Sequence, residues 1–170
     1  MLIRTIEPQD YTAVADLIQA AFTSSEHGYT GEAELVTALR TDPTYQAELE
    51  LVAIQDQQLV GHGLLSKIQI GTQVGLALAP LSVRPANQQQ GIGSQLIAAL
   101  EQRARQLGYP LISILGDPDY YGRFGYQPAI NYQITAPFEV PTNVYLVKAL
   151  LPDGLAKAQG TVQYRPAFGL

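Results

Sequence analysis

The sequence predicts an α/β domain of the α+β type, with a mixed, mostly antiparallel central sheet flanked by helices. Short aliphatic runs joined by turn residues fill 49–83, a pattern typical of antiparallel strands. Apolar residues recur at helical spacing over 10–22 and again from Ile92 onward. The aliphatic run LISIL (111–115) follows that second helical stretch, so the chain crosses back and is expected to gain a parallel strand neighbour.

The N-terminal part of the chain predicts one short strand and two helices. Residues 2–6 are the expected opening strand, and 10–22 form an amphipathic helix whose apolar positions share one face. A polar loop with two glycines, 23–31, separates that helix from a second one over 34–40.

Three strands are then expected in succession. They are LELVAIQ (49–55), QLVGHGLLSKIQI (58–70) and VGLALAPLSV (74–83). The residues DQQ (56–58) and GTQ (71–73) are suited to hairpin turns between them, so this part of the sheet is expected to be antiparallel.

A long helix follows these strands. Its predicted apolar stripe consists of Ile92, Leu96, Ala99, Leu100 and Leu107. Gly108 followed by Pro110 predicts the end of the helix, because the first tolerates a left-handed backbone and the second cannot continue a helix.

The remaining elements are short. After LISIL, residues 117–124 suit a short helix with Asp117 as its cap and Pro118 at its first position. NVYLVKAL (143–150) predicts a late strand, and 159–165 predicts another.

Composition excludes several classes of protein. A formal net charge of −5 and the lack of a basic run argue against nucleic acid as a partner. No apolar stretch is long enough for a membrane span, which predicts a cytoplasmic protein without a membrane partner. There is no cysteine, and His27 and His62 are far apart, so no metal site is expected. Because no repeat or linker is visible, 1–170 is predicted to be one domain.

The junction before the long helix carries the clearest chemical signal. VRPANQQQGIGSQL (83–96) places three glutamines directly ahead of Gly91-Ile92-Gly93. The first turn of a helix has unpaired N–H groups and partial positive charge, which together stabilise an anion. The two glycines allow a ligand to approach the backbone closely, so the expected ligand is a pyrophosphate.

Two cations, Arg84 and Arg123, are candidates to assist that anion. The P-loop pattern GxxxxGK[ST] and the dinucleotide pattern GxGxxG are both absent. The alternative is that the glycines only make a tight entry into the helix.

The whole pattern resembles the GNAT (GCN5-related) N-acetyltransferases, and more narrowly their YhbS-like subgroup. The family signature [Q/R]-x-x-G-x-[G/A] is met by QQQGIG (88–93), and GDPDYYGRFG (116–125) is similar to the subgroup. The resemblance is strongest over 2–135, and 136–170 is expected to hold C-terminal strands of uncertain role. Many members carry an Asn seven residues before the Tyr of that second segment, where this chain has Ile114.

The resemblance implies an acetyl-CoA-dependent N-acetyltransferase that moves an acetyl group directly to an amine of a small molecule or a protein. Acetyl-CoA is the implied co-substrate, with no metal. The implied cofactor contacts are Leu81, Ser82, Val83, Gln88, Gln89, Gln90, Gly91, Ile92, Gly93, Ser94 and Arg123. Many relatives are dimers, so the resemblance also makes a homodimer one of the expected oligomeric states. The alternative function is an acyl-CoA-binding sensor or assembly module of the same fold, without transfer activity.

Tyr121 is the general acid that the resemblance implies for the departing thiolate. A phenol with a pKa near 10 stays protonated at neutral pH and can donate a proton. The adjacent Tyr120 is a rival for this role. A backbone N–H within 81–83 is expected to polarise the thioester carbonyl.

The sequence assigns no residue as the general base. The acceptor-site candidates are Glu26, His27 and Glu34, in or near the first helix–helix loop, where the family shapes its acceptor site. His62 is predicted to be a sheet histidine satisfied by its neighbours, and Asp117 a helix cap.

Overall fold

The computed structural model describes all 170 residues, and they fall into two units. Unit 1 comprises Met1–Leu65 and Ala79–Arg103, and unit 2 comprises Ser66–Leu78 and Ala104–Leu170. The helices are α1 (Tyr11–Thr23), α2 (Glu32–Arg40), α3 (Ile92–Gln106) and α4 (Pro118–Gly122). The strands are β1 (Leu2–Thr5), β2 (Glu50–Gln55), β3 (Gln58–Ile70), β4 (Gln73–Val83), β5 (Leu111–Leu115), β6 (Gln127–Pro128), β7 (Ile134–Thr135), β8 (Tyr145–Ala149) and β9 (Gly160–Gln163).

In unit 1, β1, β2 and β3 pair antiparallel in that order. The hairpin between β2 and β3 turns at Asp56 and Gln57, which both have positive φ, as a tight two-residue turn requires. The end of β4 is tied to β3 by a hydrogen bond of 2.9 Å from the N–H of Arg84 to the carbonyl of Val60.

Successive residues of β3 face opposite sides of the unit 1 sheet. On one side, a Cβ atom at Gly61 or Gly63 would lie 2.8 Å from a leucine methyl of α3, so this helix packs directly on the strand. On the other side, His62 contacts Glu50, which is bonded to Arg40 of α2. The sheet of unit 1 is therefore flanked by helices on both faces. The large side chains fully buried in this unit are Leu17, Ile18, Leu49, Leu51, Leu64, Leu96 and Leu100.

In unit 2, β4 pairs parallel with β5, as the crossover through α3 predicts. β5 and β6 each pair antiparallel with β8, and β9 pairs antiparallel with β3 and parallel with β7. Most strand pairs are thus antiparallel, which confirms the predicted mixed sheet. The core cluster of this unit consists of Ile68, Ile70, Ala77, Leu111, Ala129, Ile134, Tyr145, Val147, Ala158 and Val162.

A few predicted details need correction. Leu107 is 41% exposed rather than part of a buried stripe, because α3 ends at Gln106 and the backbone turns away at Gly108, which has φ +83°. Ile97, which the predicted stripe omitted, is buried instead. The strands β6 and β7 have two residues each and were not predicted. The prediction of a single domain stays a prediction.

Candidate active site

The opening of α3 in unit 1 has the backbone geometry of an exposed helix N-terminus. Gly91 has φ +80°, and its carbonyl accepts the first helical hydrogen bond from Gln95 at 3.1 Å. Gln89 also has positive φ, at 62°, so the backbone turns sharply just ahead of the helix. A Cβ at Gly91 would meet no atom within 4 Å, so the space beside this turn is open.

The apolar residue between the two glycines anchors this turn. The side chain of Ile92 is only 2% exposed, and its Cγ2 would lie 2.9 Å from a Cβ at Gly61. Because Gly61 has no side chain, Ile92 can insert against β3. The side chain of Ile92 therefore packs on the strand and is not available to a ligand.

Two of the three glutamines brace the loop that precedes α3. The amide Nε2 of Gln88 donates to the carbonyl of Val83 at 3.2 Å, and Nε2 of Gln90 donates to the carbonyl of Ala86 at 3.4 Å. Each amide NH₂ has a second N–H, which stays free to reach a ligand.

The guanidinium of Arg84 is engaged within the sheet. Its Nε and Nη2 donate to the carbonyl of Leu59 at 3.2 and 3.0 Å. This arginine, predicted as a cation for the anion site, therefore serves first to fasten the end of β4 to β3.

The side chains at the end of β4 differ in burial. Leu81 and Val83 are half-buried, whereas Ser82 is 3% exposed and its hydroxyl has no hydrogen-bond partner. The hydroxyl of Ser82 is therefore buried within the protein, whereas Leu81 and Val83 are partly accessible.

In unit 2, Tyr121 lies on α4, which begins as predicted. The side chain of Asp117 accepts a hydrogen bond of 2.9 Å from the N–H of Asp119, so this carboxylate is a helix cap. The ring of Tyr121 is half-buried and covers Gly116, where an added Cβ would lie 2.4 Å from Cε2 of the tyrosine. Edge contacts with Tyr120 at 4.9 Å and with Tyr126 at 6.1 Å fix the ring further.

The hydroxyl of Tyr121 donates to no other residue, so its proton is available to a ligand. Burial raises the pKa of this phenol, and the nearby Tyr120 and Asp117 raise it further. The group therefore stays protonated across the neutral and moderately alkaline range.

Arg123 also lies in unit 2, and its guanidinium contacts residues close to it in sequence. Its Nε donates to the carbonyl of Tyr120 at 3.2 Å, and its guanidinium lies over the rings of Tyr120 and Phe124 at 4.7 and 5.4 Å. A role as a cation for the cofactor would use the remaining N–H groups of its exposed side chain.

The acceptor-site candidates lie at the surface of unit 1. Glu26 and His27 are exposed in the loop between α1 and α2. Glu34 is exposed on α2, where its carboxylate accepts a hydrogen bond from the hydroxyl of Tyr29. That bond lowers the pKa of Glu34, so this side chain is a weak base.

A buried polar network in unit 1 includes a carboxylate that the sequence analysis missed. Glu50 is fully buried and accepts hydrogen bonds from Nη2 of Arg40 at 2.6 Å and from the hydroxyl of Tyr45 at 2.7 Å. Its Oε1 also lies 2.7 Å from Nε2 of the fully buried His62. The prediction that His62 is satisfied within the sheet thus holds at this nitrogen, while Nδ1 has no partner.

The charge state of this network follows from its burial. Burial alone would raise the pKa of Glu50, but hydrogen bonds from His62, Arg40 and Tyr45 lower it to about 2. Burial lowers the pKa of His62 despite its contact with Glu50, so the histidine is neutral and donates from Nε2. Glu50 and Arg40 therefore form the ion pair, and the network holds α2 on the sheet.

Comparison with known proteins identifies the family. The model of the acetyltransferase (GNAT) family matches residues 11–126. The chain belongs to this family. The N-acetyltransferase YhbS of Escherichia coli (strain K12) is 30% identical over 171 residues, which is 99% of this chain and 98% of that protein.

Two solved structures of the GNAT family are also similar. The crystal structure of Escherichia coli YhbS in complex with CoA has a TM-score of 0.89 at 29% identity, covering 99% of this chain and 92% of that one. A Brucella melitensis GNAT acetyltransferase in complex with acetyl-CoA has a TM-score of 0.79 at 34% identity, covering 98% and 97%. The match with YhbS extends beyond residue 135 into the C-terminal part.

This GNAT protein is an acetyl-CoA-dependent N-acetyltransferase, as the sequence predicts. No helix is both long and apolar enough to span a membrane.

Proposed function

We propose that this acetyltransferase binds the pyrophosphate of acetyl-CoA at the first turn of α3. The observation that carries the proposal is the open, left-handed Gly91 directly ahead of the buried Ile92. The chain enters α3 at the exposed Gly91, and the first amides of a helix have no partners within it, so their hydrogen bonds and the helix dipole favour an anion there. The crystal structures of similar GNAT proteins in complex with CoA and acetyl-CoA support this choice of ligand.

The proposed chemistry is direct transfer. The nitrogen of a neutral amine attacks the thioester carbonyl carbon, and a backbone N–H within 81–83 stabilises the developing oxyanion. The C–S bond breaks with its electron pair on sulfur, while the proton shed by nitrogen passes to water. Tyr121 donates its phenolic proton to the thiolate and recovers one from water. The products are an amide and the free thiol of CoA.

Further contacts to the cofactor are assigned to the residues around this turn and to Arg123. The proposed set is Leu81, Ser82, Val83, Gln88, Gln89, Gln90, Gly91, Ile92, Gly93, Ser94 and Arg123. Glu26, His27 and Glu34 are proposed to lie on the acceptor side, and their surface exposure supports access. We also propose a cytoplasmic location.

The test is a thermal unfolding experiment with and without acetyl-CoA, using two variants of Gly91. At a hundredfold excess over Kd, acetyl-CoA stabilises the native protein by about 2.7 kcal/mol, or roughly 5–11 °C for a chain of this size. Asn and Asp both tolerate a positive φ, and the open space beside Gly91 accepts either. We expect Gly91→Asn to keep most of the shift and Gly91→Asp to lose it, because only the second places a negative charge beside the phosphates.

A shift of equal size in wild type, Gly91→Asn and Gly91→Asp would place the cofactor elsewhere. Thiol release with a panel of amines then measures transfer, and the cysteine-free chain adds no thiol background. A thermal shift without thiol release for any amine would favour the sensor or assembly module instead.

A further inference from the structure

Two buried polar atoms of unit 1 have no hydrogen-bond partner among the groups of the protein. They are Oγ of Ser82 in β4 and Nδ1 of His62 in β3. Ser82 is 3% exposed and His62 is fully buried, so bulk water does not solvate either atom. A polar group that is buried without a partner costs stability, and buried polar groups are nearly always paired. Each of these two atoms therefore needs a partner close by.

The pairing of β3 with β4 brings the two side chains together. The strands are neighbours in the sheet and are joined by a two-residue turn, so they run antiparallel. The hydrogen bond from the N–H of Arg84 to the carbonyl of Val60 fixes their register at the end of β4. Counting two residues back along β4 and two forward along β3 from this pair places Ser82 directly opposite His62.

The adjacent pair of residues shows which face of the sheet these side chains share. Cδ1 of Leu81 lies 3.4 Å from a Cβ at Gly63, as expected for directly opposed residues on the α3 side. Successive residues alternate, so Ser82 and His62 both face the other side, where His62 contacts Glu50. Opposed Cβ atoms are about 4.5–5.5 Å apart, so the serine hydroxyl can reach Nδ1 directly or through one buried water.

The hydrogen-bonding capacities of the two atoms are complementary. The carboxylate of Glu50 is ionised and only accepts, so Nε2 of the neutral His62 carries the imidazole proton. Nδ1 of this tautomer has a lone pair and no hydrogen, which makes it an acceptor. The hydroxyl of Ser82 has a hydrogen to donate. One hydrogen bond therefore satisfies both atoms.

This bond extends the polar network of Glu50 across the sheet to β4. Nη2 of Arg40 in α2 lies 2.6 Å from Oε1 of Glu50 in β2, and the same oxygen lies 2.7 Å from Nε2 of His62 in β3. With Ser82 as its fourth member, the network crosses three adjacent strands. It then connects the helix that follows the proposed acceptor loop with the strand end that is proposed to polarise the thioester.

We propose that Ser82 and His62 are positioning residues for acetyl transfer, joined by a hydrogen bond from the Ser82 hydroxyl to Nδ1 of His62. This inference rests on the proposed function, in which a backbone N–H within 81–83 stabilises the oxyanion. The bond holds the side chain of Ser82 in place and thereby fixes the direction of the neighbouring N–H groups. A donor stabilises an oxyanion fully only when it is already aimed at the place where the charge develops.

The first experiment compares Ser82→Thr with Ser82→Val, because the two new side chains have nearly the same shape and only threonine keeps a hydroxyl. Thiol release from acetyl-CoA is measured with phenethylamine, ethanolamine and putrescine, at a temperature well below the Tm of both variants. We expect kcat of Ser82→Val to be about ten- to a hundredfold lower than kcat of Ser82→Thr, because catalysis falls by this order when a catalytic group is slightly misplaced.

The thermal shift with acetyl-CoA separates positioning from a general disturbance of the site. The side chain at position 82 faces away from α3, so we expect the shift to be the same in Ser82→Thr and Ser82→Val. Equal kcat values in the two variants would overturn the positioning role. A thermal shift that is lost together with kcat in Ser82→Val would overturn it as well, because the cofactor site itself would then depend on the hydroxyl.

The second experiment observes the hydrogen bond itself and needs no acetyl-CoA. Long-range ¹H–¹⁵N NMR spectra show which ring nitrogen of a histidine carries the proton, and the resonance of the other nitrogen shifts when it accepts a hydrogen bond. The chain has two histidines, so His27→Gln assigns the signals of His62. We expect the proton on Nε2 of His62. We expect the Nδ1 resonance to move towards that of a free acceptor nitrogen in Ser82→Val but not in Ser82→Thr.

The two experiments fail in different ways. A proton on Nδ1 of His62, or an Nδ1 resonance at the same position in Ser82→Val and Ser82→Thr, would overturn the proposal whatever thiol release shows. Absence of thiol release by the wild type with every amine would instead refute the proposed transfer, and the spectra would still decide whether Ser82 and His62 are bonded.

Discussion

Replacing Glu50 by glutamine removes the carboxylate that faces Arg40 in the interior of unit 1. The guanidinium of Arg40 is held by both oxygens of Glu50, at 2.6 to 3.2 Å, and its side chain is only 10% exposed. In Glu50→Gln this cation stays buried opposite a neutral amide. The NH₂ group of the glutamine must also face Arg40, Tyr45 or His62, which all donate to this position in the wild type.

The size of the effect can be worked out in two ways. The pKa of Glu50 falls from 4.5 to about 2 on folding, which corresponds to about 3 kcal/mol of stability at neutral pH. Breaking a buried ion pair by removing one partner typically costs about 3–5 kcal/mol. The two figures agree, and for a chain of this size they correspond to a fall in Tm of about 6–20 °C.

The assay is thermal or urea unfolding of wild type and Glu50→Gln between pH 7 and pH 2. Because the pKa of Glu50 is lowered in the native state, its contribution is fully present above pH 4.5 and is lost as the pH falls towards about 2. The difference between the two proteins is therefore largest at pH 7 and narrows below pH 4.5. The control is Glu48→Gln, an exposed glutamate two residues away.

A Tm for Glu50→Gln within about 2 °C of wild type at pH 7 would contradict this account, since it corresponds to less than about 1 kcal/mol. A difference in stability between the two proteins that stays constant down to pH 2 would likewise show that ionisation of Glu50 is not the source of the lost stability. In the double variant with Arg40→Met, the loss is expected to be smaller than the sum of the single losses, because no charge is left buried without a partner.

Three further variants test the candidate active site and its support. Tyr121→Phe is expected to lower kcat by about a hundredfold or more, whereas Tyr120→Phe stays near wild type; the reverse ranking would make Tyr120 the acid. Because burial raises the pKa of Tyr121, wild-type kcat should show no loss from its ionisation below about pH 10. Gly116→Ala places a Cβ 2.4 Å from the ring of Tyr121, so kcat should fall while the acetyl-CoA thermal shift is kept. An unchanged kcat would contradict the position of this ring. The control is Gly122→Ala, where a Cβ meets nothing within 4 Å. Gly61→Ala overpacks the contact with α3, at 2.8 Å from a leucine methyl, and is expected to destabilise by about 1–3 kcal/mol in urea unfolding; full stability would show that α3 can shift.

The sequence predicted the elements that have a strong period or clear end signals. The strands β2 to β5 are aliphatic runs, and α3 begins where two glycines follow the glutamines and ends at Gln106, just ahead of Gly108. The left-handed backbone at Gly91 and the cap at Asp117 were predictable because their residue types leave few other conformations.

Other features have no local signal. Glu50 lies in an aliphatic run and gains its partners only when α2 and β3, 10 and 12 residues away in sequence, fold against it. The strands β6 and β7 are too short to show a period.

The two glycines of β3 bear on the thermodynamics of ligand binding. Because Gly61 and Gly63 lack side chains, Ile92 and the leucines of α3 lie directly on the strand, and the first turn of the helix has a packed support before any ligand arrives. A site that is already in its bound conformation loses little conformational entropy on binding. In titration calorimetry, acetyl-CoA should therefore bind this turn without the large unfavourable entropy that accompanies the folding of a loop around its ligand.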